Sequence, residues 1–332
     1  MTGRVPDESS ERRLHELRRE AERTGRVAGD GIRPVGAPFP AATPENGYYG
    51  LPLLKTPTWT WEVPLYFFVG GAAGAAATIA SAAAMTRGPR RVVREGRRVA
   101  LAGALISLPL LISDLGRPAR FLNMLRVFKR QSPMSVGVWT LVAFSTSATA
   151  AVFFDELLDR GRGGAPVRAI GTLSGLVAGA AGAMMSVYTG VLLGATVVPI
   201  WSRNIAILPV HFAASSLGAA SSILEMRVGR NRALARLATI AALIEMGLAL
   251  MPLITKGKEP RRVRAAARSD KASMMLFAAE VLAGPVALSL RSAGSSRARR
   301  LAGLCAVAGS LLTRFGWVEA GRQSVSEPGA GL

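Results

Sequence analysis

A chain of 332 residues with 50% hydrophobic and only 19% charged side chains, and a mean hydropathy of +0.30, carries more apolar surface than a soluble fold of this size needs to build its core. The net charge of +20 would suggest nucleic acid for a soluble protein, but the Arg residues sit in a polar arm and in loops between apolar blocks, so nucleic acid is set aside in favour of anionic lipid headgroups or an acidic partner subunit. One cysteine and two histidines exclude an intrachain disulfide, a four-cysteine iron–sulfur site and a di-haem cytochrome.

Residues 1–60 form an Arg-rich, Pro-containing arm that lacks the apolar core of a signal peptide and is expected to be exposed or to contact a partner. Beyond it, crossing about 30 Å of hydrocarbon takes about 20 apolar helical residues, and eight blocks approach that length: Val63 to Met85, Val99 to Ser113, Met134 to Phe154, Ile170 to Val198, Ile205 to Leu224, Leu234 to Ile254, Ala272 to Leu290 and Leu301 to Trp317. Lipid leaves backbone polar groups unsatisfied, so only helices or closed barrels span it, and these blocks lack the alternation of barrel strands. The fold expected is an all-α, polytopic membrane bundle of about eight helices over 61–320, followed by a short tail over 321–332.

In the first helix, Gly70 and Gly74 form a small-xxx-small pair, as Gly175 and Gly179 do in the fourth, which predicts close backbone approach. After the second helix, Phe121, Met124, Leu125 and Phe128 recur at helical spacing between Pro118 and Pro133, as expected of a short helix lying in the interface. Lys and Arg are nearly balanced between the two sets of loops, so the positive-inside rule assigns no orientation.

The ionisable residues inside or beside these blocks are costly there and draw functional attention. Asp114 closes the second helix against the negative end of its dipole, which calls for a counter-ion such as Arg117 or Arg120, either to end the helix or to hold a proton-accepting group. His211, near the start of the fifth helix, either bonds a ligand carbonyl or fills a polar gap between helices. Tyr188 and Trp201 flank the end of the fourth, where amphipathic rings commonly anchor at the interface. Glu245, Glu280 and Arg314 lie inside helices six, seven and eight; they form either an interhelical bridge or a proton path. No paired catalytic carboxylates, nucleophile triad, phosphate-binding loop or metal site stands at interpretable spacing.

Four segments together resemble the NrfD/PsrC family: YYGLPLLKTPTWTWEVPLYFFVGGAAGA from Tyr48, DLGRPARFLNML with SPMSVGVW from Asp114 to Trp139, YTGVLLGATVVPIWSRN from Tyr188, and GSLLTRFGWVEAGRQS from Gly309. The resemblance implies a haem-free subunit of the prokaryotic cell (inner) membrane, without an iron–sulfur cluster of its own. Such a subunit binds menaquinone or ubiquinone and exchanges electrons with a ferredoxin-like iron–sulfur subunit, while a molybdopterin subunit does the substrate chemistry. Carried onto this chain, it points to Trp61, Glu62 and Tyr66 at the mouth of the first helix, to Asp114 and Arg117 as groups coupled to quinone and proton, and to Tyr188, with His211 as a further contact. Members with a characterised pocket place an Asn and a His on the first helix; Val63 to Gly74 here contains neither. A structural anchor without redox role and a proton- or ion-translocating subunit are the rival readings.

Overall fold

The computed structural model describes residues 57–114, 119–254 and 270–326. Its elements are α1 (Glu62–Met85), α2 (Arg90–Asp114), the short α3 (Ala119–Leu125), α4 (Pro133–Asp159), α5 (Ala165–Gly194), the short α6 (Pro199–Arg203), α7 (Ile207–Val228), α8 (Arg232–Ile254), α9 (Asp270–Val281), a π-helical turn (Leu282–Val286), α10 (Ala287–Ser292) and α11 (Ser296–Ser326). Seven of the spans are long and apolar enough to cross a membrane, with α9, the π turn and α10 counted as one. The 23-residue α8 completes the expected eight. The chain is a multi-pass helical membrane protein.

The helices depart from the apolar blocks at several places. The second helix begins at Arg90 rather than Val99 because its first turns are neutralised from outside: Arg94 reaches Asp159 at 2.6 Å, Arg97 reaches Asp155 at 2.6 Å, and Glu95 takes Arg227 of α7 at 2.6 Å. The fourth ends at Gly194, where the chain turns and Pro199 starts α6. The seventh is interrupted at Pro285, whose missing N–H is absorbed by a π turn. The last runs from Ser296 to Ser326, through Arg314 and past residue 320. In the interfacial segment, Phe121 is buried and the helix stops at Leu125; Phe128 lies beyond it, edge-on to Trp139 with centroids 6.2 Å apart.

The core sits where α1 packs on α2, α5 and α7, with α11 closing on α7 and α9. A Cβ on Gly74 would lie 2.3 Å from the Gly182 carbonyl oxygen, and one on Gly182 would lie 2.4 Å from that of Gly74. The two backbones therefore touch where α1 crosses α5, which only small residues allow. Gly74 and Gly182 form this crossing, whereas Gly175 makes room for the Arg97 guanidinium, 2.3 Å from where its Cβ would be.

The up-and-down topology gives the bundle two unlike ends. One gathers the short turns after α1, α4, α7 and α10. There Arg97–Asp155, Arg94–Asp159, Arg227–Glu95 and Arg291–Glu225 tie neighbouring helices together. The other gathers the entry to α1, the end of α2, the start of α4, the end of α5 and the start of α7, with the longer connections.

Candidate functional site

This second end holds most of the residues singled out in the sequence. Asp114 closes α2 and lies against Thr60, whose backbone N–H and hydroxyl both interact with its carboxylate, with Glu62 alongside. Thr60 also donates to Glu62 Oε2. Among the described residues no Lys or Arg forms an ion pair with Asp114; Arg117 and the Arg120 side chain lie outside them. The arm is likewise described only from residue 57.

Tyr66 and Tyr188 are brought together from α1 and α5, close enough to interact electrostatically. Both are buried. Tyr188 donates to the Pro133 carbonyl at 2.7 Å, at the first turn of α4, and Gly137 leaves the space that its ring fills. Beside Tyr66, the Ser107 hydroxyl of α2 is buried with no hydrogen-bond partner. Tyr66, Ser107 and Met185 converge on Gly70, all within 3.6 Å of where its Cβ would stand. Buried polar groups are nearly always paired, so an orphan hydroxyl beside a phenol asks for an acceptor.

A column of aromatic rings stands next to these phenols. Trp59 stacks on Trp201 with centroids 5.3 Å apart and meets Phe67 edge-on at 5.9 Å. Trp201 donates through Nε1 to the Trp317 carbonyl at 2.7 Å, and Trp317 donates through its own Nε1 to His211 Nδ1 at 3.2 Å. An imidazole that accepts at Nδ1 carries its proton at Nε2. His211 is thus buried in a defined tautomer on an indole relay.

This column corrects the reading of Tyr188 and Trp201 as interfacial anchors. Trp201 is 1% exposed and Tyr188 is buried; both are core residues tied by hydrogen bonds between helices. Trp61, by contrast, is 60% exposed. Trp59 and Trp317 were not legible as site residues, although an indole N–H in an apolar setting needs a partner and commonly finds one across a helix interface.

Glu245, Glu280 and Arg314 lie deeper. Arg314 is 0% exposed; its Nη2 donates to the Phe212 carbonyl at 2.9 Å and to Ser216 Oγ at 2.8 Å, and its guanidinium lies 4.0 Å from the centre of the Phe212 ring. The expected bridge to a glutamate does not close directly: Arg314 Nε and Nη1 and Glu245 Oε1 are all without a hydrogen-bond partner. The charges still sense one another, because Arg314 and Glu280 both act electrostatically on Glu245, which lies against Ser215. Ser215 in turn donates to Ser310 at 2.8 Å.

One end of the helical membrane bundle thus gathers an acid, two phenols and a set of indole and imidazole rings joined by hydrogen bonds. The fold defines the chain as a polytopic helical membrane protein. The family described as polysulfide reductase, of the NrfD type, matches residues 45–327, and the chain belongs to that family. No curated protein matches it.

Proposed function

We propose that the chain is the quinone-handling membrane subunit of a respiratory oxidoreductase complex. It binds menaquinone or ubiquinone at the aromatic end and exchanges electrons with a ferredoxin-like iron–sulfur subunit docked there. The family supplies membrane subunits to molybdopterin oxidoreductase complexes, and this reading places the chain in a prokaryotic cell membrane beside such a catalytic subunit. The observation that carries it is that Asp114, held by Thr60, and the buried pair Tyr66 and Tyr188 share one end of the bundle.

Those residue types fit the ligand. Quinone reduction takes up two electrons and two protons and quinol oxidation releases them, so donors must reach the ring carbonyls and a titratable group must exchange protons with solvent. The Tyr66 phenol and the orphan Ser107 hydroxyl supply donors. Asp114, half-buried at the mouth, supplies the exchangeable proton site, and the rings of Phe67, Trp59 and Trp201 supply an apolar wall. Purification of the native complex in mild detergent, followed by mass spectrometry of its proteins and lipid extract, tests the reading. Stoichiometric quinone with an iron–sulfur partner is expected; a quinone-free chain without such a partner would refute it.

A second reading, proton translocation through the bundle, is favoured by one observation. Arg314 and Glu245 both carry unpartnered buried polar atoms, and Glu245 lies against Ser215, which is bonded to Ser310, an arrangement that internal water would complete. Under that reading Glu245→Gln uncouples proton movement from electron flow in vesicles while quinol turnover continues. Unchanged proton-to-electron stoichiometry rejects it.

A further inference from the structure

The ion-paired end contains a cavity that the quinone reading leaves unused. Its volume is about 110 Å³, more than a single water requires, and Glu225, Gly229, Arg230, Ser296, Arg299 and Arg300 line it where the last turn of α7 meets the first turn of α11. Both helices are membrane spans, so the cavity lies at the level where hydrocarbon gives way to headgroups.

Its polar groups make two opposite demands. Glu225 is 7% exposed and accepts through Oε2 from Arg291 Nη1 at 2.6 Å, while its other oxygen, Oε1, is buried with no hydrogen-bond partner and calls for a donor. Across the same space stand three guanidinium groups. Arg299 is steadied by a bond from Nη1 to the Gly294 carbonyl at 2.7 Å; Arg230 and Arg300 are exposed. These call for an anion. A simple anion would leave Glu225 Oε1 orphaned and face a carboxylate, and a metal cation would face three positive charges. A zwitterion with phosphate and amine a few bonds apart answers both demands, since guanidinium groups grip phosphate oxygens with paired hydrogen bonds and an ammonium donates to a carboxylate.

We propose that this cavity is a headgroup site for a phospholipid of the phosphatidylethanolamine type. Arg230, Arg299 and Arg300 hold the phosphate, the ammonium donates to Glu225 Oε1, and the acyl chains run along α7 and α11. The site joins these helices beneath the Arg291–Glu225 pair.

Native mass spectrometry of the full, delipidated chain in mild detergent tests this, titrating phosphatidylethanolamine, phosphatidylcholine, phosphatidylglycerol and soluble phosphoethanolamine separately. One phosphatidylethanolamine per chain is expected. Phosphatidylcholine, whose quaternary ammonium cannot donate, binds about tenfold more weakly, the loss of roughly one charge-assisted hydrogen bond. The double variant Arg230→Gln with Arg300→Gln loses at least as much affinity. Glu225→Gln abolishes the preference for phosphatidylethanolamine, and because that change also loosens Arg291, the phosphatidylcholine comparison on the unaltered chain asks the same question without a substitution. Phosphatidylcholine or phosphatidylglycerol binding as tightly as phosphatidylethanolamine overturns the proposal, as does unchanged binding by the double variant. Phosphoethanolamine binding as tightly as the lipid shows a soluble ligand and overturns the lipid assignment.

Discussion

The two ends of the bundle use their acidic residues differently. At the ion-paired end each of four carboxylates, Glu95, Asp155, Asp159 and Glu225, meets an Arg from another helix, and the intervening turns are short. At the aromatic end one exposed Lys, Lys271, reaches Glu319 at 3.7 Å, but Asp114 and Glu62 lie by Thr60, and neighbouring helices are joined by Tyr188, Trp201 and Trp317 hydrogen bonds. A carboxylate matched to a guanidinium is fixed in charge and place. One held by a hydroxyl and an amide is free to exchange a proton. Under the quinone reading, the difference separates the end that maintains the bundle from the end that does chemistry.

The sharpest way to break this contrast is to remove a charge from each end. Arg291→Ala, at the most deeply buried pair, leaves Glu225 unpaired and is expected to destabilise the protein by about 3–5 kcal/mol, read as a lower thermal midpoint in detergent. Quinol turnover per assembled complex should not change. Asp114→Asn should do the reverse: assembly and thermal midpoint hold while quinol-linked turnover falls about 100-fold. If Asp114→Asn instead leaves turnover intact, the aromatic end is a second structural clamp.

Smaller changes sharpen the comparison. Gly74→Ala drives a methyl against the Gly182 carbonyl and should cost about 1–3 kcal/mol, seen in the same melting experiment. Tyr188→Phe removes the bond to the Pro133 carbonyl and should cost about 1 kcal/mol; under the quinone reading it also raises KM for quinol, which an anchor would not show.

Much of this was legible in the chain, because apolar runs of span length leave little freedom inside a bilayer. The helices therefore appear where the blocks predict. What was not legible depends on partners distant in sequence. Arg90 to Arg98 reads as a loop when each Arg is counted as a charge without a partner, and becomes two turns of helix once Asp155, Asp159 and Arg227 are in place. Glu62, Tyr66, Asp114 and Tyr188 were readable as one end of the bundle from helix order alone. Trp59 in place of Trp61 was not, since which indole turns inward is decided by the approach of Trp201. The orphan hydroxyl of Ser107 was invisible as well, because a serine in an apolar run carries no sign of whether its partner is present.

The glycine crossing of α1 and α5 makes those two helices a pair of callipers. Gly74 and Gly182 are the pivot, and Tyr66 and Tyr188 ride on the jaws roughly two turns away, a lever of about 10 Å, so a change of about 6° in crossing angle shifts a phenol by about 1 Å. Displacements of that size are enough to alter reaction rates severely. The contact that sets the gauge of the mouth is thus a pair of residues without side chains, in the middle of the membrane.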